Sequence, residues 1–114
     1  MTDCIFCKII AKQIPAEFIY EDDKIVVFND IRPKAQVHLL IVAKDHIKSL
    51  AHVSEQSAKE TALMTHMLLA LPKLAKARGL ENGFRTVINT GSGGGQEIDH
   101  IHFHLLGGGP LPRM

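Results

Sequence analysis

The sequence predicts an α+β fold: a mostly antiparallel five-stranded sheet, one long helix and a short amino-terminal helix. Three observations lead there. Five short apolar or alternating segments are separated by Asp, Asn, Gly and Pro turns. A single stretch between Ser54 and Gly79 repeats its apolar residues near helical spacing. The 114 residues fit one domain, residues 1–114, with no room for a second core.

Taken in order, Thr2 or Asp3 caps a short helix running through about Lys12, with Ile5, Phe6, Ile9 and Ile10 as its apolar side. Pro15 ends it. Glu17 to Glu21 and Lys24 to Asn29 read as a hairpin around Asp22-Asp23. Asp30-Ile31-Arg32-Pro33 is a loop and Val37 to Ala43 a third, largely apolar strand. Ser54 is the expected N-cap of the long helix, whose apolar positions are Ala58, Ala62, Met64, Met67, Leu68, Leu71, Leu74 and Ala75. The Met64, Met67 and Leu68 cluster is expected in the core. Gly79 suits the left-handed position after the helix, and Pro72 is expected to kink or split it. Phe84 to Asn89 is a fourth strand, Gly91 to Gly95 a loop and Ile98 to Leu106 a fifth strand.

Composition narrows the function classes. Hydrophobic residues make up 46% and the net charge is +1 with charges scattered, so no basic stripe suggests a nucleic-acid partner. No apolar run approaches a membrane span, and Met1-Thr2-Asp3-Cys4 does not open like a secretory leader. Two cysteines three positions apart make a poor disulfide, which points to a reducing, cytoplasmic setting. The unusual feature is seven histidines, three of them within five residues.

Those three lie in His100-Ile101-His102-Phe103-His104-Leu105-Leu106. Strand alternation puts His100, His102 and His104 on one face, about 7 Å apart, and Ile101, Phe103 and Leu105 on the other. A merely solvated face would draw Thr, Lys, Glu or Ser, so a site is the better explanation. Metal binding competes, because histidines two apart on a strand are a common ligand pair. Just upstream, Asn89-Thr90-Gly91-Ser92-Gly93-Gly94-Gly95-Gln96 is a glycine-rich loop whose amides can form an anion nest. Alone that loop is a weak signal. Leading directly into the histidines, it describes a held phosphate. An imidazole with an ordinary pKa of about 6.5 is available as a neutral nucleophile near pH 7, and a phosphohistidine would divide one hard displacement into two easier ones.

With these residues in view, the sequence resembles the histidine triad superfamily, His-x-His-x-His followed by two apolar residues, and within it the Hint branch. The resemblance runs through Ile5 to Ile10, Glu21-Asp22-Asp23, Phe28 to Ile31, His38 and Asn89 to Gly108. It implies a homodimer whose sheets join and hydrolysis of purine nucleoside 5'-phosphoramidates of the AMP or GMP type, with no cofactor required for catalysis. It further implies that His102 is the nucleophile, that His104 and the amides of Gly95, Gln96 and Glu97 hold the phosphate, and that His100 and His38 orient the nucleophile. Asp30 would take the ribose hydroxyls, Asn89 would approach the phosphate or ribose, and Phe6, Ile9, Phe28, Asn29 and Ile31 would line the base pocket. Core packing is the plain alternative for Phe6, Ile9 and Phe28.

Two departures bear on the leaving group. Glu97 stands where many Hint relatives carry a Ser that passes a proton to the departing amine; Glu97 could do so only when protonated, or contributes its amide alone. The sequence ends at Met114, short of the tail that relatives often carry across the dimer, so selectivity is expected to be broader or to be set by another feature.

Cys4-Ile5-Phe6-Cys7 has the spacing of half a zinc knuckle, and His46 and His100 are the candidate remaining ligands for a structural zinc, as in some histidine triad relatives. Two small buried thiols on a helix face are the alternative. Zinc on His100 would weaken its catalytic role without removing an orienting one. His52 and His66 read as ordinary surface or helix histidines. Three function classes therefore stand: a phosphoramidase (or a dinucleoside polyphosphate hydrolase), a nucleotide-binding regulatory module with incidental catalysis, and a metal hydrolase using the triad as ligands.

Overall fold

A computed structural model describes residues 3–113. Its elements are helix α1 (Ile5–Ile10), strands β1 (Tyr20–Glu21), β2 (Ile25–Asn29) and β3 (Val37–Ala43), helix α2 (Ala58–Ala77), and strands β4 (Arg85–Val87) and β5 (His102–Gly107). The sheet is antiparallel throughout with order β1-β2-β3-β5-β4. The long crossover through α2 therefore delivers the chain to the far edge, and the β4–β5 hairpin returns it beside β3. Among the described residues, no helix is long and apolar enough to cross a membrane.

Residue parity organises the interior. Ile25, Val27, Leu39, Ile41, Phe103 and Leu105 point to one face and pack with Leu63, Met67, Leu71 and Leu74 of α2. Val26, Phe28, Leu40 and Val42 point to the other, where Phe6 and Ile9 of α1 cover them. His38, His102 and His104 carry the same even parity, so the sheet presents them on the α1 side. Register places His104 opposite Leu40 and His102 opposite Val42.

Several elements differ from expectation, each for a local reason. Cys4, not Asp3, caps α1: its Sγ accepts from the Cys7 N–H at 3.4 Å; Thr2, the other expected cap, lies outside the described residues. Ser57 caps α2 in place of Ser54. Its Oγ accepts from Glu60 N at 3.1 Å, while the Glu60 carboxylate reaches back to Ser54 N at 2.7 Å. Pro72 neither ends nor splits α2; it lies on the exposed side, as does Leu68 four residues earlier, where a freed carbonyl meets water. The buried stripe is Leu63, Met67, Leu71, Leu74 and Ala75. Leu68 is one position off that stripe and 49% exposed, not core as expected. Gly79 does take a left-handed φ of 75° after the helix.

The expected fifth strand from Ile98 is cut short at its start. The Ile101 N–H bonds to the Ile47 carbonyl at 2.7 Å and the His100 ring to the Ala43 carbonyl at 2.6 Å. These long-range bonds pull residues 98–101 out of the ladder, so His100 does not share a strand face with His102 and His104. The expected strands over Glu17 to Glu21 and Phe84 to Asn89 are likewise shorter, Tyr20–Glu21 and Arg85–Val87.

Candidate active site and metal cluster

On the α1 side of the sheet lies a cavity of about 550 Å³. Phe6, Ile9, Phe28 and Leu40 form an apolar end, and His38, His102, His104, Asp30, Asn89 and Glu97 a polar one. Phe6 and Phe28 meet edge-to-face with centroids 5.8 Å apart. These residues are both core and wall: Phe6, Ile9 and Phe28 are buried from outside yet line the cavity. Ile31 and Asn29 also line it, Ile31 almost fully exposed.

The hydrogen bonds assign the imidazole protons. His102 Nδ1 lies 2.6 Å from the His100 carbonyl oxygen, an acceptor only. Nδ1 therefore carries the proton, and neutral His102 keeps its lone pair on Nε2. His38 Nδ1 accepts from the Lys34 backbone N–H at 3.1 Å, so its proton is on Nε2. That Nε2–H donates to His104 Nδ1 at 2.9 Å, with Asp30 Oδ2 at 3.5 Å. His104 in turn bears its proton on Nε2. Two neutral tautomers of opposite sense result: an Nε2 lone pair at position 102 and an Nε2–H donor at position 104.

Burial lowers the pKa of His38, His102 and His104, and for His104 the value falls to about 4, with His102 and His38 adding to the burial effect. His38, expected to orient the nucleophile, bonds to His104 instead. His100, expected to do the same, meets His102 through its backbone carbonyl, while its ring faces away.

The glycine loop is built around Gln96. Its Oε1 accepts from Gly91 N at 2.8 Å, and its Nε2 donates to the carbonyls of Lys48 at 2.7 Å and Ile98 at 2.9 Å. Gly91 and Gly95 sit at φ 70° and 80°, a region glycine favours. Two of the three expected phosphate amides are already used: Gly95 N–H bonds Ser92 O and Gln96 N–H bonds Gly91 O. Gln96 is thus a buried brace and does not line the cavity. Among the described residues, the Glu97 N–H has no hydrogen-bond partner. The exposed Glu97 side chain stands at the rim with Asn89, whose Nδ2 bonds the Gly94 carbonyl at 2.8 Å. Arg32 and Lys34 also line the cavity. Sequence reasoning passed over both, because cations near a loop proline are ordinary surface residues until the fold turns them inward. Asp30 Oδ1 accepts from Arg32 N at 2.8 Å, which fixes its carboxylate.

Residues 3–109 match the family described as "Scavenger mRNA decapping enzyme C-term binding". The chain is 51% identical over 107 residues to Protein HitA of Neisseria gonorrhoeae, covering 94% of this chain and 97% of that protein. It superposes on a histidine triad protein from Clostridium difficile with TM-score 0.92 and 43% identity, over 100% of this chain and 97% of that one. A HIT family hydrolase from Legionella pneumophila aligns with TM-score 0.89 and 47% identity, over 96% of each chain. The chain belongs to the histidine triad superfamily.

Behind the triad, this histidine triad protein gathers a second set of donors. Cys4 Sγ, Cys7 Sγ, His46 Nδ1 and His100 Nδ1 all lie within 4.8 Å of one another. His100 Nδ1 is 3.3 Å from Cys4 Sγ and 3.1 Å from His46 Nδ1, and Cys7 Sγ is 3.2 Å from His46 Nδ1. His100 Nε2–H donates to Ala43 O, so its lone pair on Nδ1 faces the sulfurs. A backbone carbonyl fixing the tautomer of a ligating histidine is the usual arrangement around metals. Two sulfurs and two imidazole nitrogens suit tetrahedral zinc. Burial, aided by Cys4, pushes the Cys7 thiol up to about 11, so ion binding here must expel a proton. Asp30, His38 and His104 are also mutually close, but their own hydrogen-bond chain accounts for that closeness. His52 and His66 stay outside both clusters: His52 bonds Ser49 and His66 bonds Asp22.

Proposed function

We propose that this protein hydrolyses purine nucleoside 5'-phosphoramidates through a nucleotidyl group carried on His102 Nε2. The observation that carries this reading is the 2.6 Å bond from His102 Nδ1–H to the His100 carbonyl, which leaves a lone pair on Nε2 in a cavity with one apolar and one polar end. The apolar end suits a purine, Asp30 suits ribose hydroxyls, and His104 Nε2–H with the Glu97 amide suits phosphoryl oxygens.

In the first step Nε2 forms a bond to phosphorus as the P–N bond to the amine breaks, and the amine takes up a proton at the solvent-exposed rim. In the second, water attacks phosphorus, the Nε2–P bond breaks, a proton is released and nucleoside monophosphate leaves. The fixed Nδ1–H···O=C bond supports the positive imidazolium that forms between the steps. No step calls for a metal or cofactor, and the Cys4–Cys7–His46–His100 cluster is proposed as a structural zinc site. Two cysteines not joined in a disulfide suit a reducing, cytoplasmic location.

A homodimer is part of the same proposal. Strand β4 is a sheet edge, and Leu68 and Leu69 of α2 are 49% and 58% exposed; an edge and an apolar helix face together suit pairing with a second copy. Arg32 and Lys34 on the cavity wall favour a second reading, hydrolysis of dinucleoside polyphosphates, whose extra phosphates they would meet.

The test is steady-state hydrolysis of adenosine 5'-phosphoramidate and of a diadenosine polyphosphate by wild-type and His102→Ala protein. Turnover of the phosphoramidate that vanishes in the variant while AMP still binds is expected. Equal turnover in the variant would overturn the role of His102, and preference for the polyphosphate would favour the second reading.

A further inference from the structure

We infer that the Cys4–Cys7–His46–His100 cluster, when it holds a divalent metal of the zinc class, is a positioning site for His102 and for the apolar wall of the nucleotide cavity, so metal and nucleotide bind with positive coupling. This rests on the zinc and nucleotide readings above. Two separate connections carry it.

The first runs through His100. Its ring faces the sulfurs through Nδ1, its Nε2–H is tied to Ala43 O, and its own carbonyl accepts from His102 Nδ1. One residue thus holds the cluster with its side chain and the nucleophile with its backbone. A ring free to leave the cluster would let the peptide at position 100 rotate, and the acceptor that fixes the His102 tautomer would go with it.

The second runs through α1. Cys4 is the N-cap of this six-residue helix and Cys7 lies in its first turn. Between them Phe6 packs edge-on against His100 at 5.8 Å and His102 at 5.0 Å. Phe6 and Ile9 form the apolar end of the cavity. A helix this short has little intrinsic stability, so a metal gripping its first turn would fix the cavity wall.

Coupling is reciprocal, and that supplies a test independent of turnover. AMP affinity would be measured calorimetrically on zinc-loaded and metal-free protein, and zinc affinity by chelator competition with and without saturating AMP. About tenfold weaker AMP binding without zinc is expected, with AMP tightening zinc by the same factor. In proton NMR, the His102 Nδ1–H resonance, absent from His102→Ala, should be sharp when zinc is bound and lost to exchange when it is removed.

If far-ultraviolet circular dichroism shows that the metal-free chain unfolds, His46→Ala takes its place. That variant keeps His100 and α1 intact and weakens the exposed ligand alone. Its AMP affinity should climb to the wild-type value as zinc is raised. Stoichiometric zinc with unchanged AMP affinity and an unchanged His102 resonance would overturn the coupling alone. Failure to bind zinc would overturn the zinc reading and the coupling with it, and failure of the loaded protein to bind AMP would overturn the nucleotide reading.

Discussion

His38 Nε2 donates to His104 Nδ1 at 2.9 Å, and the Lys34 backbone N–H fixes that direction by donating to His38 Nδ1 at 3.1 Å. A main-chain amide thereby dictates which nitrogen of His104, two rings away, carries a proton. Replacing His38 with Ala removes the middle of this chain and leaves His104 free to flip or change tautomer. Losing a supporting partner of this kind costs about 10–100-fold in activity. We expect kcat to fall within that range for His38→Ala, with Asn partly restoring it. An unchanged kcat in His38→Ala would show that the His104 tautomer does not limit the reaction.

The buried histidines predict an unusual acid profile. His38, His102 and His104 are all pushed below the ordinary value, His104 to about 4. The site should hold its neutral tautomers below pH 6.5, so kcat/KM should not fall with an inflection near 6.5 as for an exposed histidine. Stability behaves differently. The unfolded chain takes up protons at about 6.5, so the contribution of neutral burial is complete above that value and is lost as pH falls from 6.5 toward about 4. Urea midpoints at pH 7 and pH 5 would check this; equal midpoints would contradict it.

Gln96 predicts a loop defect that looks like a binding defect. Its amide makes three hydrogen bonds to backbone groups of Gly91, Lys48 and Ile98. Gln96→Met keeps the bulk but leaves those groups without partners, a loss of about 1–3 kcal/mol for each one that stays buried. Gln96→Glu should be worse, because a carboxylate oxygen would face the two carbonyls that Nε2 now serves. Both variants should show raised KM along with lower stability. A Glu variant as stable as wild type would refute the assigned amide orientation.

Much of this arrangement is legible in the sequence alone. Alternation along Ile101 to Leu106 correctly separated His102 and His104 from Ile101, Phe103 and Leu105, because a sheet buried on one face by α2 enforces parity. His100 broke the pattern because its partners lie far away in sequence: Ala43, Ile47, Cys4 and His46 draw its neighbourhood out of the strand. No local period contains that information. The Cys4, Cys7, His46 and His100 set was nevertheless recognisable, since metal-ligating residue types in a short chain leave few combinations. The resemblance puts the Gln96 backbone amide at the phosphate, whereas that N–H goes to the Gly91 carbonyl and the side-chain amide turns inward to close the loop. Leu63, not among the expected apolar positions, joins the buried stripe while Leu68, one position off it, is exposed; a one-residue shift rotates a helical position by about 100°, and residues near the stripe edge are decided by packing.

The last prediction concerns Asp22, which ties the β1–β2 hairpin to α2. Its Oδ1 accepts from the backbone N–H groups of Lys24 at 2.8 Å and Ile25 at 2.9 Å, and its Oδ2 from Tyr20 OH at 2.8 Å and His66 Nε2 at 2.7 Å. Burial alone would raise the pKa of this carboxyl, but the four donors outweigh it and hold the group well below the usual carboxylate range. A depressed carboxylate contributes stability above its unfolded value of about 3.9, and the contribution is lost as pH falls below that point. Asp22→Ala removes every acceptor at once and leaves the two strand amides to find other partners, so a loss of about 2 kcal/mol is expected. For a domain of this size that is a fall in Tm of roughly 8 °C. His66 lies on α2, across the sheet from the cavity, so kcat and KM at 25 °C should stay close to wild type. Thermal unfolding and steady-state kinetics on the same variant separate the outcomes: lower Tm with normal kinetics supports a purely structural clamp, whereas altered kinetics would tie the hairpin to the site.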